Sequence, residues 1–142
     1  MKRRRRTRIL IEGSPDLPMH LSAEAEAEHK VRIIDEPSGG LVMMRMKDTA
    51  RKDAFFLGEV MVTEAKVRIG NSLGIGLVRG DAPVLARSLA VIDAAWNAGS
   101  PLINHWISLL EAEEASLEES RRKEAASILK TRVDFSTMET FS

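Results

Sequence analysis

The sequence predicts a single α+β domain: a four-stranded antiparallel sheet covered by helices, followed by a long charged helix and an extended tail. Three observations carry this expectation. From Val60 to Ile69 the residues alternate, with Met61, Thr63, Ala65, Val67 and Ile69 on one face and Val60, Val62, Glu64, Lys66 and Arg68 on the other. Leu85, Leu89, Ile92 and Trp96 then recur at helical spacing, a stripe suited to covering such a sheet. Finally, 142 residues with 44% apolar content suffice for one core and are too few for two.

Taken in order, residues 1–29 read as short helices. The basic run Lys2 to Arg8 leads into Ile9-Leu10-Ile11, and Gly13 is placed to close that helix. A second helix starts at Ser14-Pro15-Asp16, where Ser14 or Asp16 can cap and Pro15 and Pro18 fall in the tolerant first turn. Its Ala-Glu alternation from Ser22 to His29 has high helix propensity but a thin apolar stripe, which predicts a peripheral position.

Residues 30–80 read as the sheet. Val31 to Asp35 is a short β-branched strand, Glu36-Pro37-Ser38-Gly39-Gly40 a turn, and Leu41 to Lys47 a second strand with Val42, Met44 and Met46 on one face. Asp48 to Asp53 is a polar loop. After the long alternating strand, Gly70-Asn71-Ser72 turns the chain, and Leu73, Ile75 and Leu77 continue the alternation on the way back.

Residues 81–130 return to helix. Asp81 is placed as a cap with Pro83 in the first turn, and Ala98-Gly99-Ser100-Pro101 separates that helix from one running from Leu102 to about Lys130. The latter begins amphipathic and becomes densely charged from Glu111 to Glu124, as expected of a helix that crosses solvent or lies along a partner. In residues 131–142 the apolar side chains Val133, Phe135, Met138 and Phe141 have no local place to pack, so the tail reads as a docking segment.

Composition removes several functions. Lysine plus arginine and aspartate plus glutamate both number 21, so there is no global basic footprint of a nucleic-acid protein. The absence of cysteine excludes disulfides, thiol nucleophiles and cysteine-held iron-sulfur clusters. Glu12-Gly13-Ser14 interrupts the only apolar run near the N-terminus, so the expectation is a soluble cytoplasmic chain without a signal peptide.

Candidate chemistry is sparse. Gly74, Gly76 and Gly80 suggest a phosphate cradle, but Gly74 and Gly76 fall inside a strand, where close backbone approach or a bulge is the better account. His20, His29 and His105 form no metal signature. Glu59, Glu64, Asp81 and Asp93 are carboxylates that acid-base chemistry would need, with strand and helix roles as the favoured reading. No cofactor and no metal are expected. The basic N-terminus leaves one alternative function, a free-standing regulatory or nucleic-acid-binding module.

Two segments carry a family resemblance. The hairpin region, with Phe56, Gly58, Glu59, Thr63, Gly74, Gly80 and Asp81, resembles the core of the PhnG family of bacterial carbon-phosphorus lyase systems. The tail, with Arg132, Val133, Asp134, Phe135, Thr137, Met138 and nearby Phe141, resembles that family too. The resemblance implies an accessory or scaffolding subunit in phosphonate catabolism, assembled with PhnH-, PhnI- and PhnJ-like subunits, the PhnI-like one most directly. It implies support for making alpha-D-ribose 1-methylphosphonate 5-triphosphate from ATP and methylphosphonate, with adenine released. Lacking cysteine, the chain is not the radical subunit that breaks the carbon-phosphorus bond. The arginine-rich start departs from the helix with tryptophan or leucine that opens the family, and no catalytic residue carries over.

Overall fold

The computed structural model describes residues 1–47 and 54–140, with side chains over 1–43 and 58–131. In chain order the elements are α1 (Arg3–Glu12), α2 (Asp16–Glu28), β1 (Val31–Lys47), β2 (Ala54–Ile69), β3 (Ser72–Arg79), α3 (Pro83–Asn97) and α4 (Ile103–Thr140). The three strands form one antiparallel sheet in the order β1-β2-β3. Helix α3 lies on one face, α2 packs on α3, and α1 touches α3 and α4 and reaches the edge of β3.

The sheet has three strands where four were expected, because the predicted turn Glu36 to Gly40 continues β1. Its turn-forming residues are absorbed as irregularities, with register shifts between Ile33 and Asp35 and between Asp35 and Ser38. Pro37 lies in the second shift, on an edge strand, where a missing amide hydrogen need not cost a ladder bond. The expected loop from Asp48 to Asp53 lies outside the described residues.

The covered face of β2 is the one its alternation predicts from Thr63 onward: Thr63, Ala65, Val67 and Ile69 are buried, whereas Met61 is exposed. Gly70, at φ 59°, makes the turn with Asn71. On β3 the covered positions are Gly74, Gly76 and Val78, leaving Leu73 and Leu77 on the outer face. Those glycines are a packing requirement. A Cβ at Gly74 would run into the Ala90 carbonyl and the Ala94 amide, and one at Gly76 into the Ala86 carbonyl. The stripe that meets β3 is therefore Ala86, Ala90 and Ala94, in place of the larger side chains expected to cover the sheet. Small residues on both sides let the helix backbone approach the strand backbone. Leu89 and Ile92 are also buried, because α3 is enclosed by the sheet and the other helices.

Two termini differ from expectation. Asp81 is exposed and does not cap α3, whose first-turn flank is Ala82 without a side-chain cap. Thr63 joins this junction instead: its hydroxyl donates to the Gly80 carbonyl at 2.6 Å and accepts from the Ala82 amide at 3.1 Å. The tail expected to be extended is helical as far as Thr140. Between Pro101 and the C-terminal Ser142 the chain has neither glycine nor proline, so no residue stops the helix.

Candidate functional site

Helix α1 places one arginine where the other basic residues of its run do not go. Arg6 shares a face with Ile9 and Leu10, and all three are buried. Its guanidinium meets the buried Asp93 carboxylate of α3 at 2.6 Å and lies 4.7 Å from the Trp96 ring centroid. Arg3 approaches the other carboxylate oxygen at 3.3 Å. Burial pulls the Arg6 guanidinium below the ordinary arginine value, and Asp93 works in the opposite direction.

This cluster also closes the edge of β3. Asp93 Oδ2 accepts from the Ile75 amide at 3.0 Å, Arg3 donates to the Ile75 carbonyl at 3.3 Å, and Asn97 donates to the Leu73 carbonyl at 2.8 Å. Outward backbone groups at Leu73 and Ile75 are thus paired with side chains, which hinders further strand addition along that part of the edge. A cationic cleft of about 480 Å³ remains beside it, with Arg3, Arg4, Thr7 and Leu77 among its walls. No nucleophile-base pair faces this cleft among its lining residues, and Asp93 is already held by two arginines.

The rest of α1 is bolted to α4. Arg5 and Arg8 both bond Glu114, Arg121 reaches back to Glu12, and Glu113 accepts from the Ser14 amide at 2.8 Å. The hydrogen bond from Arg5 holds the Glu114 carboxyl below its ordinary value, with help from the charges of Arg5 and Arg8. Four of the six basic side chains between Lys2 and Arg8 are therefore paired with carboxylates of the same chain, and Arg6 alone of these is buried. Trp96 stacks on Trp106 with centroids 6.3 Å apart, and Trp106 donates its indole hydrogen to Glu24 at 3.1 Å.

The family-like hairpin residues do not converge on one point. Thr63 and Gly80 meet at the junction described above, with the Gly80 amide donating to the Met61 carbonyl at 2.7 Å and φ of 86° at Gly80. Gly74 lies at the helix contact, Asp81 is exposed, and Gly58 and Glu59 lie farther out on β2 opposite Met44 and Met43. Phe56 is placed by its backbone opposite Arg45. Arg132, Val133, Asp134, Phe135, Thr137 and Met138 belong to the last turns of α4, and Phe141 lies outside the described residues. Glu64 pairs with Lys66, and His20 and His105 both approach Glu24. The residue that sequence reasoning undervalued is Arg6. Its signal was its spacing from Ile9 and Leu10, which put it on the apolar side of a helix.

Among the described residues, no cluster of three histidine, cysteine or acidic side chains could hold a metal ion, and no helix is long and apolar enough to cross a membrane. Fold and surface define a small α+β protein whose buried charges hold its elements together, and whose two longest elements extend past its core. A family profile described as "Phosphonate metabolism protein PhnG" matches residues 1–140, and the chain belongs to the PhnG family. One relative is the alpha-D-ribose 1-methylphosphonate 5-triphosphate synthase subunit PhnG of Rhizobium meliloti (strain 1021). It is 37% identical over 106 residues, which cover 72% of this chain and 65% of that protein. The match thus spans just under two thirds of the relative's length.

Proposed function

We propose that this chain is an accessory, scaffolding subunit of an alpha-D-ribose 1-methylphosphonate 5-triphosphate synthase, acting in the cytoplasm with PhnH-, PhnI- and PhnJ-like subunits. The observation that carries the reading is membership of the PhnG family together with the name borne by the Rhizobium relative. In the reaction, a methylphosphonate oxygen bonds to the anomeric carbon of ATP's ribose as adenine leaves with the electron pair of the glycosidic bond. The PhnI-like subunit is assigned that displacement. The present chain supplies shape: a rigid body from which a long helix projects.

Helix α4 supports this division of labour. At 1.5 Å per residue its 38 residues extend about 57 Å, far more than the rest of the small domain can cover. Beyond Arg121, which still reaches Glu12, the described side chains bond only within the helix, and Ile128 and Leu129 are exposed. The same helix carries Arg132 to Met138 in its last turns, and with Phe141 this segment is assigned to the PhnI-like subunit. Of the hairpin set, Thr63, Gly74 and Gly80 are assigned to keeping the sheet and α3 in register.

The test is co-expression with the other three subunits, with and without residues 131–142. Deletion is expected to abolish co-purification and adenine release while leaving the thermal unfolding of the isolated chain unchanged. Full assembly by the truncated chain would contradict the role given to α4.

A further inference from the structure

The outer face of the sheet has no helix over it. The antiparallel register sets its rows: Arg32, Arg68 and Leu73 lie side by side across the three strands, then Asp35, Lys66 and Ile75, then Ser38, Glu64 and Leu77. Directly opposed residues point to the same face of a sheet, opposite here to the face that Val67 and Ala65 bury against α3. Leu73 and Leu77 are 39% and 49% exposed, and with the half-buried Ile75 they make an apolar stripe along β3. From Leu73 to Leu77 it runs about 14 Å, the length of roughly nine helical residues.

Charge on this face is uneven. Lys66 is shared between Asp35 at 3.8 Å and Glu64 at 3.4 Å, so the middle rows set two carboxylates against one paired ammonium. The end row has no such pairing. Arg32 and Arg68 are exposed and directly opposite each other, and neither has an acidic partner among the described residues. Two like charges in direct cross-strand register repel. In a chain whose net charge is zero, leaving two arginines adjacent beside an apolar stripe is a local excess that an anionic group would relieve.

We infer that the outer sheet face is a second docking surface, and that its occupant is an amphipathic segment of another synthase subunit. That segment lays apolar side chains along Leu73, Ile75 and Leu77 and sets a carboxylate between Arg32 and Arg68. The inference rests on the subunit reading above but uses a different surface from α4. A carboxylate suits two guanidiniums because each oxygen can accept from a separate planar donor.

The experiment compares the full-length chain with its Arg32→Glu/Arg68→Glu and Arg32→Lys/Arg68→Lys variants, each co-expressed with the PhnH-, PhnI- and PhnJ-like subunits. Charge reversal is expected to weaken assembly by at least about tenfold, with unchanged melting of the isolated chain, whereas the lysine pair keeps most of the affinity. Unchanged assembly on reversal overturns the inference and leaves the subunit reading standing. Self-association of the isolated chain that is lost on reversal also overturns it, since the occupant is then a second copy. A wild-type chain that fails to co-purify overturns the subunit reading and this inference together.

Discussion

The two faces of the sheet follow opposite rules. On the inner face, Gly74 and Gly76 are so close to α3 that a single added carbon has no room, and Thr63 ties β2 to the start of the helix. On the outer face, Leu73 and Leu77 are exposed and Arg32 faces Arg68. The inner face resembles the interior of a finished protein, and the outer face resembles a surface awaiting a neighbour. The difference separates residues that make the fold from residues available for assembly.

That separation can be broken from the inside first. Asp93→Ala strands the buried Arg6 guanidinium and frees the Ile75 amide, so the isolated chain should lose about 3–5 kcal/mol in denaturant unfolding, the range for removing one partner of a buried ion pair. Adding Arg6→Met should recover part of that loss, because the unpaired charge is then gone. Gly76→Ala should cost about 1–3 kcal/mol, since its Cβ meets backbone that cannot rotate away. Thr63→Val removes two hydrogen bonds at the Gly80–Ala82 junction and should lower stability by about 1–3 kcal/mol.

The smallest effect is electrostatic. Glu114 has its carboxyl pKa lowered by Arg5 and Arg8, so its contribution is fully present above the ordinary carboxylate range and is lost as pH falls through the lowered value. Melting scans from neutral to acidic pH should therefore show a small acid-side loss that disappears in Glu114→Gln. Since the pair is partly exposed, added salt should shrink it.

Much of the inner face was legible in the sequence. Period-two alternation identified the covered side of β2 from Thr63 to Ile69, and glycine inside a strand pointed to close backbone approach before any contact was known. The boundaries of α3 followed from Pro83 at one end and Gly99 at the other. What escaped depended on contacts between distant segments. Glu36 to Gly40 has turn chemistry, yet pairing with β2 extends the strand through it, with one register shift between Asp35 and Ser38. Asp81 had the right residue type for a cap, but Thr63, nearly twenty residues earlier, reached the junction first. Arg6 looked like one more residue of a basic run, because its neighbours hide the helical spacing that turns it inward. The tail drew attention for its apolar side chains, although the lack of glycine and proline was the better guide to its backbone.

The site was less legible than the fold for a physical reason. Docking surfaces have no motif chemistry, and their apolar residues are recognised only when the core is known not to use them. The absence of cysteine now becomes an advantage, since a thiol introduced at one position is the only one in this chain and its label can be read on this chain alone. The most direct measurement is the maleimide labelling rate of Leu77→Cys and Ile128→Cys, taken on the free chain and after mixing with the proposed partner subunits. Strong protection of both positions on assembly is the predicted result; labelling at the free-chain rate in the complex would contradict the view that these exposed faces are where the subunit is held.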